Sequence, residues 1–134
     1  MTFRAFLPSC AVSAMLALPG AALPPLSQNA EITEGLIAVG MALELSDRCD
    51  GLSARTLRGV FYLNGLKNAA RSAGYPDAQI DAFVDDRAER TRLEGIARDR
   101  LAALGATQGD ADSYCRVGRD QIAAGSQVGR LLKD

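Results

Sequence analysis

Apolar residues recur along most of this chain at spacings of three and four, and glycines punctuate the repeats. Such spacing places side chains on one face of a helix, and no segment shows the two-residue alternation of a half-buried strand. Gly51, Gly74 and Gly105 each follow a periodic segment, where a helix leaves through a left-handed residue. The expected fold class is all-α, a compact four-helix bundle with negligible β-strand. Leu23 to Gln28, with Pro24 and Pro25, reads as an extended lead-in. Helix one is predicted from Asn29 or Ala30 to Arg48 or Cys49, and helix two from Ser53, a good N-cap residue, to Ala73. Pro76 and Asp77 open helix three, since Pro is tolerated and Asp favoured in a first turn. Asp110 or Asp112 opens helix four, which continues to Leu132.

The first 22 residues read as a secretory signal peptide. Arg4 supplies the positive region, Phe6 to Leu18 the apolar run, and Gly20-Ala21-Ala22 a small-residue exit, with cleavage expected between Ala22 and Leu23. The run is short for a membrane span and broken by Pro8 and Pro19, so an uncleaved anchor is the weaker rival. Removing 22 of 134 residues leaves 112, enough for one helical domain over residues 23–134. No second apolar run of membrane length follows, so no membrane span is expected after cleavage, and the localisation expected is periplasmic or secreted.

Of 15 basic residues, loss of Arg4 leaves 14 against 16 acidic ones, with the signs interspersed. This balance argues against nucleic acid and anionic membrane surfaces as partners, because both require concentrated positive charge. Cys10 falls in the leader, ahead of most of its apolar run, which is the wrong order for a lipoprotein cysteine. Cys49 and Cys115 remain, too far apart for a Cys-x-x-Cys redox motif. An oxidising compartment and an even count favour a structural disulfide, with free thiols or an interchain bond as alternatives.

Helix two carries no charge between Gly59 and Leu66, and Val60, Phe61, Tyr62, Leu63 and Leu66 occupy nearly all its azimuths. A helix apolar all round is expected to be buried all round, which makes helix two the predicted centre of the bundle. Tyr62 and Asn64 must then find partners or reach the rim. Helix three holds two apolar patches, Ile80-Phe83-Val84 and Leu93 to Leu104, separated by the charged stretch Asp85 to Arg92. Either it breaks there or that stretch stands in solvent, supported by the i,i+4 pairs Asp86–Arg90 and Glu94–Arg98. Gly35, Ala38, Ala42, Leu45 and Cys49 share one face of helix one. Cys115, Gly118, Ile122, Gly125, Gly129 and Leu132 share one face of helix four. A Cys49–Cys115 bond would make the two helices antiparallel, setting Leu45 against Gly118, Ala42 against Ile122, Ala38 against Gly125 and Gly35 against Gly129.

The chain has no histidine, which removes Ser-His and Cys-His pairs, histidine zinc sites and histidine-ligated haem. Met41 is the sole methionine after cleavage. Gly125-Ser126-Gln127-Val128-Gly129 lacks the spacing of the hydrolase elbow and is expected inside a helix. A calcium loop starting at Asp110 fails at Tyr114, Cys115 and Gln121, leaving helix capping as the reading of Asp110-x-Asp112. Asp81, Asp85, Asp86 and Glu89 could supply carboxylate hydrolysis, but a small bundle leaves little room for the cleft it needs, and there is no Trp for a sugar platform. No catalytic residue, cofactor or metal is expected.

The pattern Cys49-x-x-Leu52-Ser53-x-Arg55, Gly74-Tyr75, Ile80-Asp81, Tyr114-Cys115-x-x-Gly118 and Ser126-Gln127-x-Gly129-x-Leu131-Leu132 carries a resemblance. It resembles a family of small exported alphaproteobacterial helical proteins catalogued only as a domain of unknown function. The resemblance spans Leu26 to Leu132 and implies a mainly helical secreted domain with cysteines at these two positions. It implies no activity, ligand or catalytic residue. The leading expectation is a non-enzymatic protein that binds a protein partner in the cell envelope. A periplasmic stress chaperone and a small carboxylate-dependent hydrolase are the alternatives.

Overall fold

The computed structural model describes residues 22–134; the expected leader's apolar run and Cys10 fall on residues 1–21, outside the described residues. A 3-10 turn over Leu26–Gln28 leads into α1, Ala30–Arg48. Asn29 caps α1, its Oδ1 accepting from the Ile32 N–H at 3.2 Å. The helix ends at Cys49 in extended backbone, and Gly51 is not among the left-handed glycines, so the exit expected there does not form.

Residues beyond Gly51 are drawn into a short antiparallel ribbon. β1, Ser53–Ala54, pairs with β2, Leu132–Lys133, with Ser53 opposite Lys133 and Ala54 opposite Leu132. The Arg55 N–H donates to the Leu131 carbonyl at 2.8 Å and its Nε to the Leu132 carbonyl at 2.7 Å. Ser53 is therefore a ribbon residue and not an N-cap, and α2 begins later, spanning Thr56–Ser72. The expected helix three breaks at the charged stretch into α3, Asp77–Asp85, and α4, Arg87–Ala103. Asp86 causes the break to hold, since its carboxylate accepts from the Glu89 N–H at 3.0 Å and caps α4. Neither Asp86–Arg90 nor Glu94–Arg98 forms an ion pair among the described residues.

The expected helix four is also two helices, α5 over Ala111–Ala124 and α6 over Gln127–Arg130. Gly125 stands at φ 63°, and the Ser126 N–H turns back to the Gln121 carbonyl at 3.3 Å, closing α5. Ser126 then caps α6 through Gly129 N–H, 3.0 Å from its hydroxyl. The stretch Gly125 to Gly129 is thus a junction between helices and not helix interior. Gly105, at φ 105°, ends α4 in the same manner, with Ala106 N–H donating to the Leu101 carbonyl at 3.0 Å. Asp110 caps α5 as expected, and the buried Ser113 hydroxyl holds the preceding loop by accepting from Thr107 N–H at 2.8 Å.

The centre of the molecule is α1, not the second helix. Its buried stripe, Ile37, Ala38, Met41, Ala42 and Leu45, packs with Leu93, Ala97 and Leu101 of α4, Tyr114 and Val117 of α5, Val128 of α6, and Leu131 and Leu132. Leu45, Leu101 and Leu132 are almost fully excluded from solvent, and burying each contributes roughly 1.5–3 kcal/mol. A second cluster joins Leu26 and Ile32 to Leu66, Ala70, Tyr75 and Ile80. Tyr75 pins the lead-in there, its hydroxyl donating to the Pro24 carbonyl at 2.6 Å. Cys49 and Cys115 form a disulfide with Cα atoms 5.2 Å apart, joining the end of α1 to the start of α5. The bond sets the end of α1 against the start of α5, and Tyr114 and Val117 of α5 pack with the α1 stripe. The residue pairing differs from that expected. Gly118 faces Leu52, Gly35 faces Leu66 and Tyr62 of α2, and Gly129 faces the backbone of Gln121.

Candidate functional site

The buried stripe does not use all the apolar residues of α1. Leu36, Val39, Gly40 and Leu43, spaced three, one and three apart, form a second stripe along its flank. Leu36, Val39 and Gly40 are half-buried and Leu43 is half-exposed; α4 meets this line at Gly40, beside Ala97, and leaves Leu43 open. α2 lies on one side of it and the α3–α4 corner on the other.

The uneven docking of α2 opens the space. Near its C-terminal end α2 approaches α1 closely, because Gly35 has no side chain and the Leu66 methyls and Tyr62 hydroxyl occupy that volume. Leu66 and Ala70 are the buried residues of α2, whereas Leu57, Val60, Phe61 and Leu63 are exposed, Leu57 and Phe61 by about three-quarters. Leu57 and Phe61 lie four apart on the side of the helix opposite Leu66 and Ala70. The charge-free window of helix two is therefore not buried all round. Burial pushes the Tyr62 hydroxyl above its usual range, and Asn64 reaches the exposed surface.

Three hollows that share walls follow the flank of α1. One, of about 210 Å³, lies among Val39, Leu43, Val60, Leu63 and Leu131. A second, of about 230 Å³, is lined by Leu36, Leu63, Leu66, Ile80 and Phe83. A third, of about 240 Å³, lies among Leu36, Val39, Leu43, Phe83, Val84 and Leu93. Beyond the Leu57–Phe61 ridge a broader depression of about 630 Å³ is bordered by Arg55, Arg58 and Lys133. Six of the eight large apolar residues exposed among those described, Leu43, Leu57, Val60, Phe61, Leu63 and Val84, line this groove and ridge. Scattered exposed leucines are ordinary on a protein surface; a contiguous set marks an interaction site.

Charge is distributed unevenly around the groove. Arg55, Arg58 and Lys133 are in no ion pair among the described residues. The first turn of α2 has no acidic residue, and no side chain caps its N–H groups. Toward the other end Lys67 pairs with Asp81 at 2.9 Å, Arg71 with Asp77 at 2.5 Å, and Arg92 with Glu89, while Arg90 and Glu94, of opposite sign, border the groove outside any ion pair among the described residues.

The carboxylates considered for hydrolysis are not convergent. Asp81 serves Lys67, Asp86 caps α4, Glu89 pairs with Arg92, and Asp85 is the exposed last residue of α3. The cysteine pair is spent in a disulfide whose Cys49 is fully buried. The expected cleavage point, Ala22–Leu23, lies in exposed chain outside any helix or strand. What the sequence reading missed is the groove. Its signal is the second stripe of helix one together with the charge-free window of helix two, a pattern that a core helix shares.

A family model described as a family of unknown function (DUF5333) matches residues 24–133. No curated protein and no solved structure matches the chain.

Proposed function

The chain belongs to a family of unknown function (DUF5333), and we propose that it acts by binding a protein partner through the groove between α1, α2 and the α3–α4 corner. One observation carries this reading: four exposed large apolar side chains, Leu43, Val60, Leu63 and Val84, line the groove, and two more, Leu57 and Phe61, stand on the ridge beside it. Leaving Phe61 and Leu57 three-quarters exposed forfeits burial worth roughly 1.5–3 kcal/mol for each, which a partner that extends from the groove over this ridge would recover. The groove wall is mainly apolar and continuous with an exposed apolar ridge, as at surfaces where proteins dock. The disulfide and the expected leader support a location outside the cytoplasm, in the periplasm or secreted, with the partner in the cell envelope. Among the described residues no helix is long and apolar enough to cross a membrane.

The test is crosslinking in cells with a photoreactive residue at Leu57 or Leu43. The expected result is one or a few adducts that recur between preparations and disappear in a Phe61→Asp variant of unchanged circular dichroism. Adducts indifferent to that substitution would refute the reading.

A further inference from the structure

Resting on that reading, we infer that the occupant is an amphipathic helix of a partner protein, with an apolar stripe in the groove and carboxylates over Arg55, Arg58 and Lys133. Shape and charge carry this together. The hollows beside Leu36 and beside Leu43 lie seven residues apart along α1, two helical turns. Apolar anchors at i, i+3 or i+4, and i+7 of a docking helix repeat at that distance. Beside Leu131 the groove ends at Arg55. Across the α2 ridge, Arg58 and Lys133 border the adjoining depression with it. These three cations have no carboxylate partner within the described chain, and the bare N-terminus of α2 adds its own positive potential. An acidic segment is complementary to that end, while at the other end Lys67 and Glu89 are already paired and the remaining Arg90 and Glu94 are of opposite sign. A bilayer does not follow recessed hollows, and a second copy docking by this same end would bring a second set of the three cations against the first.

The experiment uses three synthetic peptides of about five helical turns. All carry leucines at the anchor positions; one end bears glutamates, glutamines or lysines. Fluorescence anisotropy against the disulfide-bonded protein should show the glutamate peptide binding about tenfold tighter than the lysine peptide, a gap that narrows at high salt. The combined variant Arg58→Glu and Lys133→Glu should invert that order, and Phe61→Asp should weaken all three. Arg55 is left in place because its side chain holds the C-terminal ribbon. Equal affinity for the three peptides, or an order unchanged by charge reversal, would overturn the inference. So would binding to phosphatidylglycerol vesicles that the reversal abolishes, or a concentration-dependent dimer lost in Phe61→Asp. If the peptides fail while Phe61-dependent adducts still form in cells, the docking reading survives and this partner chemistry does not. If both fail, both are wrong.

Discussion

A methyl group added at Gly129 would land on the backbone of Gln121 and Ile122, which no rotamer change relieves. Gly118 is different, since the atom it would meet belongs to the flexible Leu52 side chain. Gly65 and Gly95 are different again: both are helical, and a Cβ at either meets nothing within 4 Å. Three outcomes follow in urea denaturation. Gly129→Ala should destabilise by about 3 kcal/mol, at the upper end for overpacking because backbone must move. Gly118→Ala should cost less, since Leu52 can shift. Gly65→Ala and Gly95→Ala should each stabilise by about 0.5–1 kcal/mol, as expected where helix propensity is the sole change. Equal midpoints for Gly129→Ala and the native protein would mean that α6 does not turn back against α5 as described. The sequence placed Gly129 on a face shared with Cys115 and Gly118. It could not show that a left-handed Gly125 ends that face, because an interior glycine and a terminal one read alike.

Elements whose ends carry a local chemical signal were legible: Asn29 and Asp110 cap their helices, and Gly74 and Gly105 stand left-handed after theirs. Elements defined by distant partners were not. The ribbon is two residues long on each side, too short for an alternating pattern, and exists because Leu131 and Leu132 return to Arg55. Helix two misled because an all-round apolar window is equally the mark of a core helix and of one whose outer face awaits a partner. The join between α1 and α4 shows a similar long-range dependence. Arg100 grips Glu34 with both guanidinium nitrogens, at 2.5 and 2.8 Å, across a separation of 66 residues. The hydrogen bond from Arg100 holds the Glu34 carboxyl below its usual range. Its contribution to stability is therefore present above the ordinary carboxylate pKa of about 4.3 and lost as pH falls through the lower folded value. The pair is half-exposed, so Glu34→Gln should cost no more than about 1 kcal/mol at neutral pH. That difference should close on acidification, as read by urea midpoints across the acid range. A cost independent of pH would locate the effect in packing instead of charge.

At the scale of the whole molecule, the Cys49–Cys115 bond and the β1–β2 ribbon fasten the same long loop at neighbouring points. They do so by different means. The ribbon and the Arg55 clip exist in the folded state and vanish with it, whereas the disulfide persists in the unfolded chain and restricts it. A crosslink between residues 66 apart removes loop-closure freedom worth about 4 kcal/mol in the chain-entropy model. That is a large share of the 5–15 kcal/mol typical of small domains. In the folded state the bond lies where α1, Leu52 and the first turns of α5 meet, with Cys49 fully buried and Cys115 partly so, which shields it more than in the unfolded chain. Two consequences can be separated. Cys49→Ser with Cys115→Ser should lower the melting temperature by roughly ten degrees or more, and the urea midpoint with it. The native protein treated with reductant at low temperature should instead lose the bond more slowly than the unfolded chain does, so urea approaching the midpoint should accelerate reduction. Groove binding should tolerate the double substitution while the protein remains folded, because Leu36, Val39, Leu43 and α2 lie away from the cysteines along α1. Unchanged melting without the bond would show that the ribbon and core suffice to close the loop, and would remove the disulfide from any account of why so small a helical domain holds an apolar groove open.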